Sequence, residues 1–178
     1  EALQAEGSPG APVVVVSNEP GAGGLTRARA RGVPVAAVDH RPFRGDRAAF
    51  EAALEDALAP HAPDVICLAG FMRILTPDFV TRWSGRMLNV HPSLLPKYRG
   101  LDTHARAIAA GETEHGCTVH LVTPELDEGP VLGLARVPVA PDDTPETLGA
   151  RVQAAEHTLY PAVLMRFLRG ETAPLALP

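Results

Sequence analysis

Val65-Ile66-Cys67-Leu68-Ala69, then Thr76-Pro77-Asp78, then Met87-Leu88-Asn89-Val90-His91 is the stretch whose reading decides the fold. The first run is apolar without alternation, the pattern of a strand buried on both faces. Thr76, Pro77 and Asp78 suit the N-cap, N1 and N2 positions of a helix. A threonine oxygen can accept from an open helix N–H, and proline lacks a donor that N1 would leave unused anyway. The third run is a further strand, so the stretch reads strand, helix, strand.

The same pattern extends in both directions. Upstream, Glu1 to Pro12 reads as irregular, and Val13-Val14-Val15-Val16 as a strand buried on both faces. Leu25 to Arg31 is a short helix closed by Gly32, and Val33 to Val38 is a strand. Asp46 suits the cap of a helix with Phe50, Leu54, Ala57 and Leu58 on its apolar face, ending near Pro60. Downstream, Thr103 to Ala110 is a helix, and Cys117 to Val122 and Val131 to Val139 are strands that can add antiparallel. Thr144-Pro145-Glu146 opens a long helix carrying Leu148, Val152, Ala155, Leu159, Val163 and Phe167 on one face. Pro161 is expected to kink it and Gly170 to stop it. Strands alternating with helices predict an α/β fold: a doubly wound, mostly parallel sheet with late antiparallel strands and a long C-terminal helix.

With 178 residues the chain is expected to form a single domain over 1–178. Hydrophobic residues reach 46% but aromatics only 4%, so aliphatic side chains must build the core. The net charge of −5 argues against nucleic acid, whose phosphates call for a concentrated basic surface. No apolar stretch approaches the ~20 residues of a membrane span, and no leader-like segment opens the chain, so the cytoplasm is the default location. Cys67 and Cys117 each sit in an apolar run and read as two buried thiols rather than a disulfide. A monomer or a homodimer is expected.

Ligands of doubly wound sheets bind beyond the carboxyl ends of the strands, which directs attention to the segments after the third and fourth strands. After Ala69 comes the apolar loop Gly70-Phe71-Met72-Arg73-Ile74-Leu75, which calls for burial or for a flat apolar ligand. In Asn89-Val90-His91 the carboxamide and the imidazole, two residues apart on a strand, share a face. Polar groups there are costly unless satisfied or used. A carboxamide can donate to a developing oxyanion and a histidine can move protons; equally, both can simply tie down the turn that starts at Pro92. Asp127 lies in the turn Glu125-Leu126-Asp127-Glu128-Gly129-Pro130, where an acidic residue is ordinarily solvated. If that turn folds over the strand ends, its carboxylate can pair with His91.

Several of these segments together resemble the glycinamide ribonucleotide formyltransferases, a family of folate-dependent formyltransferases. They are the 70–75 loop, Asn89-Val90-His91-Pro92-Ser93-Leu94-Leu95-Pro96-Lys97-Tyr98, His115-Gly116-Cys117-Thr118-Val119-His120, Glu125-Leu126-Asp127 and Glu156-His157-Thr158-Leu159-Tyr160-Pro161. The similarity runs in order from about Val13 to Gly170. It implies attack by the amine of glycinamide ribonucleotide on the formyl carbon of 10-formyltetrahydrofolate, the co-substrate, with no metal. Asn89 would bond the oxygen that becomes negative, His91 would stabilise that charge, and Asp127 would hold His91 charged. Asn89, Met72, Arg73, Ile74 and Leu75, together with Thr123, Pro124, Glu125, Leu126 and Asp127, would embrace the folate. Arg47 matches a folate-contacting arginine, and Gln153 and Glu156 match residues that contact the ribonucleotide.

One departure stands out. The family opens with a strand and a glycine-rich loop that holds the ribonucleotide phosphate, and neither is found in this sequence. Ala2-Leu3-Gln4-Ala5 resembles the start of the helix that comes after that loop. Poor phosphate binding is therefore expected. Asp102 is a second departure, where some relatives carry another polar side chain.

Competing readings are weaker. Gly21-Ala22-Gly23-Gly24 comes after a strand, but Ser17 to Pro20 make the turn too long for a dinucleotide fingerprint and Thr26 takes its third glycine position. His115 and Cys117 share one strand face and His120 takes the other, so three metal ligands would not converge without a bend. Formyltetrahydrofolate hydrolases carry an extra N-terminal domain, and methionyl-tRNA formyltransferases a C-terminal nucleic-acid module. Sugar-nucleotide formyltransferases, and a folate-binding remnant without activity, remain as rivals.

Overall fold

Local capping chemistry starts three helices where the sequence indicates. The structure, a computed structural model, describes residues 1–177. Asp46 accepts from the Ala49 N–H (3.0 Å) and starts helix α2, Arg47–Leu58. Thr76 accepts from the Phe79 N–H (3.3 Å) and starts α3, Pro77–Arg82. Thr144 and Thr147 cap each other's main-chain N–H groups at the head of α5, Pro145–Leu168. Such caps satisfy donors that the first helical turn leaves open.

The remaining elements alternate with these. Strand β1 is Val15–Ser17, α1 Gly23–Ala30, β2 Val35–Ala37, β3 Ile66–Leu68 and β4 Met87–His91. Then come α4, Thr103–Ala109, and the long strands β5, Glu114–Leu121, and β6, Val131–Pro138. A last strand, β7, Leu175–Leu177, lies beyond α5. It pairs parallel with β6 and is too short to be read from the sequence pattern.

Strands β1 and β2 form a parallel pair of their own, while the other five lie in the order β3-β4-β5-β6-β7. Within the larger sheet β4 and β5, and β5 and β6, run antiparallel, as expected of the late strands. Two apolar layers sandwich these strands. On one side Leu148, Val152, Leu159 and Val163 of α5 pack with Cys117, Val119, Leu132 and Val137. On the other, Phe50 and Leu54 of α2 and Phe79 of α3 pack with Trp83 and Met87, and Val16, Ile66 and Leu68 rest against them. Both sheets thus share one helical cover.

Two sequence readings need correction. The 13–16 run is not buried on both faces: Val13 is exposed and all of β1 is half-buried. The 65–69 run likewise gives only a three-residue strand with Cys67 exposed, so the two cysteines are not both buried. The cause is common to both: among the described residues β1 pairs with β2 alone and β3 with β4 alone, and a strand paired on one edge leaves main chain and side chains to water. Helix α5 continues past Pro161, the expected site of a kink, as far as Leu168. Leu148, Val152 and Leu159 before the proline, and Val163 and Leu164 after it, are all buried, and that packing holds the helix together across the missing hydrogen bond.

Candidate functional site

Strand β4 ends in Asn89 and His91, and the antiparallel register sets their neighbours: Asn89 lies opposite His120 and His91 opposite Thr118. Paired residues of an antiparallel ladder project to the same side, so a histidine faces the Asn89 carboxamide directly. The 123–130 turn folds back over this end of the sheet. It brings Asp127 to 3.4 Å from His91 Nδ1 (Oδ2) and to 3.8 Å from His120 Nε2 (Oδ1). His91 and Asp127 are each 7% exposed at their side chains, so the pair is nearly dry.

Hydrogen bonding assigns the donors. His120 Nδ1 lies 2.9 Å from the Leu121 carbonyl and donates to it, which leaves Nε2 as an acceptor. Burial pushes the His120 imidazole below its ordinary pKa, so it stays neutral. Asn89 Nδ2, at 3.3 Å, then gives one of its two hydrogens to His120 Nε2 and has a second to donate. His91 Nε2 donates to the Tyr98 carbonyl (2.9 Å), which turns Nδ1 toward Asp127. Asp127 in turn accepts from the Gly100 N–H (2.9 Å). All four side chains are bound into one network at the carboxyl end of β4.

The other residues singled out from sequence fall in two places. Arg47, Met72, Arg73 and Ile74 line one open cleft of about 260 Å³ together with His40, Phe43 and Phe50. Met72 is 75% exposed and Ile74 65%, so the apolar loop is left to water at its tip, while Leu75 packs inward on the α2–α3 core. Leu126, on the turn that carries Asp127, is likewise exposed, and Thr123 braces that turn by donating to the Glu125 carbonyl (3.2 Å). Pro124 and Glu125 are exposed as well. Gln153 and Glu156 lie on α5. Gln153 is exposed; Glu156 is half-buried, and burial alone raises its carboxyl pKa.

Sequence reasoning misses four contributors. His120 reads from sequence only as a weak metal-ligand candidate; its role as Asn89's partner needs the antiparallel register. The Tyr98 carbonyl and the Gly100 N–H are main-chain groups with no side-chain signature. Glu51, seven residues before Leu58, lies at the edge of the apolar face of α2 and is 2% exposed. It accepts from Thr76 N (2.6 Å) and from the Thr76 hydroxyl, tying α2 to the head of α3 and so bracketing the 70–75 loop.

His115 is bonded outside this network, with its Nε2 3.2 Å from His104 Nδ1. Among the described residues no group of three or more His, Cys, Asp or Glu could hold a metal. Burial first, and the neighbouring His104 second, lower the His115 pKa to about 4. An unfolded histidine protonates near 6.5, so between about pH 6.5 and 4 the unfolded chain binds the extra proton and folding weakens as pH falls. Stability should therefore drop by up to about 1.4 kcal/mol per pH unit in that window. His115→Gln should flatten that slope in urea melts taken from pH 7 to pH 5; an unchanged slope would assign the loss to other groups.

Comparison with known proteins identifies the family. A family model described as formyl transferase matches residues 1–164. The chain is 49% identical over 156 residues to a phosphoribosylglycinamide formyltransferase of Escherichia coli, covering 88% of this chain and 73% of that protein. It is 43% identical over 158 residues to the trifunctional purine biosynthetic protein adenosine-3 of Bos taurus, a match that spans 89% of this chain but only 16% of that protein. The crystal structure of a phosphoribosylglycinamide formyltransferase from Brucella melitensis superposes with a TM-score of 0.87 at 50% identity, over 94% of this chain and 85% of that one. By sequence and fold alike, the chain belongs to the formyl transferase family.

Proposed function

We propose that this chain transfers a formyl group from 10-formyltetrahydrofolate to the amine of glycinamide ribonucleotide, a step of purine synthesis. The observation that carries the reading is the convergence of Asn89, His91 and Asp127 at the carboxyl end of β4, joined by the 3.4 Å contact of His91 with Asp127 and by the His120 link. The substrate amine adds to the formyl carbon, and the formyl oxygen takes up the negative charge. The second hydrogen of the Asn89 carboxamide bonds that oxygen. His91, bound by Tyr98 O and Asp127, supplies positive charge beside it. The attacking nitrogen loses a proton, N10 of the folate gains one, and the C–N10 bond breaks to release tetrahydrofolate. Positioning and fixed dipoles are enough for this chemistry, and one oxyanion donor contributes about 3 kcal/mol.

The cleft of Arg47, Met72, Arg73 and Ile74 offers apolar walls and two arginines, which suits the aromatic and carboxylate parts of a folate. Leu75 would support it from below, and Thr123, Pro124, Glu125 and Leu126 would close it from the other side. Gln153 and Glu156 would meet the ribonucleotide, since a half-buried carboxylate gains from accepting sugar hydroxyls. The protein would work as a soluble cytoplasmic enzyme, monomeric or dimeric.

Purified protein mixed with 10-formyltetrahydrofolate and glycinamide ribonucleotide should lose the formyl group from the folate, followed by absorbance, and gain it on the ribonucleotide, followed by mass spectrometry. Folate binding without turnover would reduce the chain to a binding remnant. Turnover with a sugar-nucleotide amine in place of glycinamide ribonucleotide would reassign the acceptor.

A further inference from the structure

We propose that Arg106, on the outer face of α4, is a positioning residue that clamps the 98–102 turn and through it sets His91 and Asp127; the catalytic part of this rests on the formyl-transfer reading above. Its Nη1 donates to the carbonyls of Arg99 (2.6 Å) and Leu101 (3.1 Å), and its guanidinium lies 5.3 Å from the centre of the Tyr98 ring. One side chain thus holds three parts of one turn.

That turn is under backbone strain. Tyr98 (φ 55°), Gly100 (φ 77°) and Asp102 (φ 58°) all adopt left-handed conformations, and only the glycine does so without steric cost. Tyr98 and Asp102 keep them only if the surroundings over-determine the turn. Arg106 is one such constraint. Another is the ion pair between Arg99 and Glu128, the residue after Asp127.

The strained segment touches the reacting cluster twice. The Tyr98 carbonyl accepts from His91 Nε2 (2.9 Å), and the Gly100 N–H donates to Asp127 Oδ2 (2.9 Å). The two groups that orient the imidazole, Tyr98 O and Asp127, are therefore both referred to a turn that Arg106 holds. Both donations come from Nη1, while the planar guanidinium also faces the Tyr98 ring; a lysine ammonium, a compact point charge on a flexible stem, would keep the carbonyl contacts less well and lose the flat contact with the ring. Without the guanidinium, the Arg99 and Leu101 carbonyls turn to water, Tyr98 and Asp102 relax toward ordinary φ, and Tyr98 O leaves His91.

Arg106→Ala and Arg106→Lys test this. Arg106 is exposed and alanine favours helices, so α4 should stay folded. Turnover should fall about tenfold to a hundredfold in Arg106→Ala, with KM for the formyl folate little changed, and Arg106→Lys should recover only part of it. In parallel, nitrogen-15 NMR of the unliganded protein should show the His91 Nε2 proton sheltered from water exchange in the wild type and exchanging freely in Arg106→Ala, while the His120 ring signals stay put. This second reading needs no turnover, so it separates a failed clamp from a failed functional assignment. Wild-type kcat and an unchanged His91 signal in Arg106→Ala would overturn the proposal. So would a loss of activity that tracks a falling melting temperature with the His91 signal intact.

Discussion

Asp127→Asn is expected to lower turnover by about two to three orders of magnitude while folate binding and melting temperature change little. Asparagine tolerates the left-handed backbone of position 127 (φ 54°) as well as aspartate does. Its carbonyl oxygen can still accept from the Gly100 N–H, which Asp127 binds at 2.9 Å. What the substitution removes is the negative charge 3.4 Å from His91 Nδ1, in a pocket where both side chains are almost fully withdrawn from water. Charges interact strongly at that range when screening is weak, so the loss should appear in kcat. Initial rates of formyl transfer, a folate titration and a thermal melt on the same preparation separate the contributions. If the variant unfolds, the carboxylate is a structural anchor of the turn and not a partner in the chemistry.

Gly129→Ala should be the most destructive small change near the site. A methyl group there would sit 1.8 Å from the Leu121 carbonyl oxygen and 2.8 Å from its carbon, both main-chain atoms of β5 that cannot rotate away. Thr123 Cγ2 stands 3.2 Å off on the remaining side. Relief requires the 123–130 turn to lift off the strand ends, so a cost of about 3 kcal/mol or more is expected. In a chain of this size that is roughly a 6–12 °C fall in melting temperature. Turnover should fall with it even below the melt, because Asp127 rides on the same turn. Gly21→Ala, where nothing lies within 4 Å, serves as the control. A Gly129→Ala melting point within about 2 °C of wild type, a margin set by roughly 2–4 °C per kcal/mol, would contradict the close packing of turn on strand.

How much of this molecule is legible in its sequence depends on the range of the forces involved. Helix starts depend on side chains within three residues of the cap, so Asp46, Thr76 and Thr144 can be read directly. Asn89 and His91 are conspicuous because polar groups interrupt an otherwise apolar strand. Strand burial, by contrast, depends on neighbours supplied from elsewhere in the chain. Val13 to Val16 and Val65 to Ala69 have the composition of interior strands, yet among the described residues each is paired along one edge alone. Asn89's contact with His120 needs a cross-strand register, and His91's contact with Tyr98 O needs a left-handed turn at a tyrosine, which residue identity does not announce. Asp127 stands between these cases: its motif is visible, but the fold of its turn over the sheet is not.

The division of the strands into a pair and a group of five also shapes how the protein responds to ligands. Strands β1 and β2 are short, half-buried and joined to the rest through the shared cover of α2 and α3, so they belong to the part that opens first in thermal fluctuation. The cleft draws one wall from that part (His40, Phe43 and Arg47) and the other from the loop after β3. A molecule seated there bridges a softer region to a firmer one. Amide exchange in β1 and β2 should then slow on saturation while the interior of β4, β5 and β6 hardly changes, so that occupancy of the cleft is recorded as local rigidity in strands that carry none of the reacting groups.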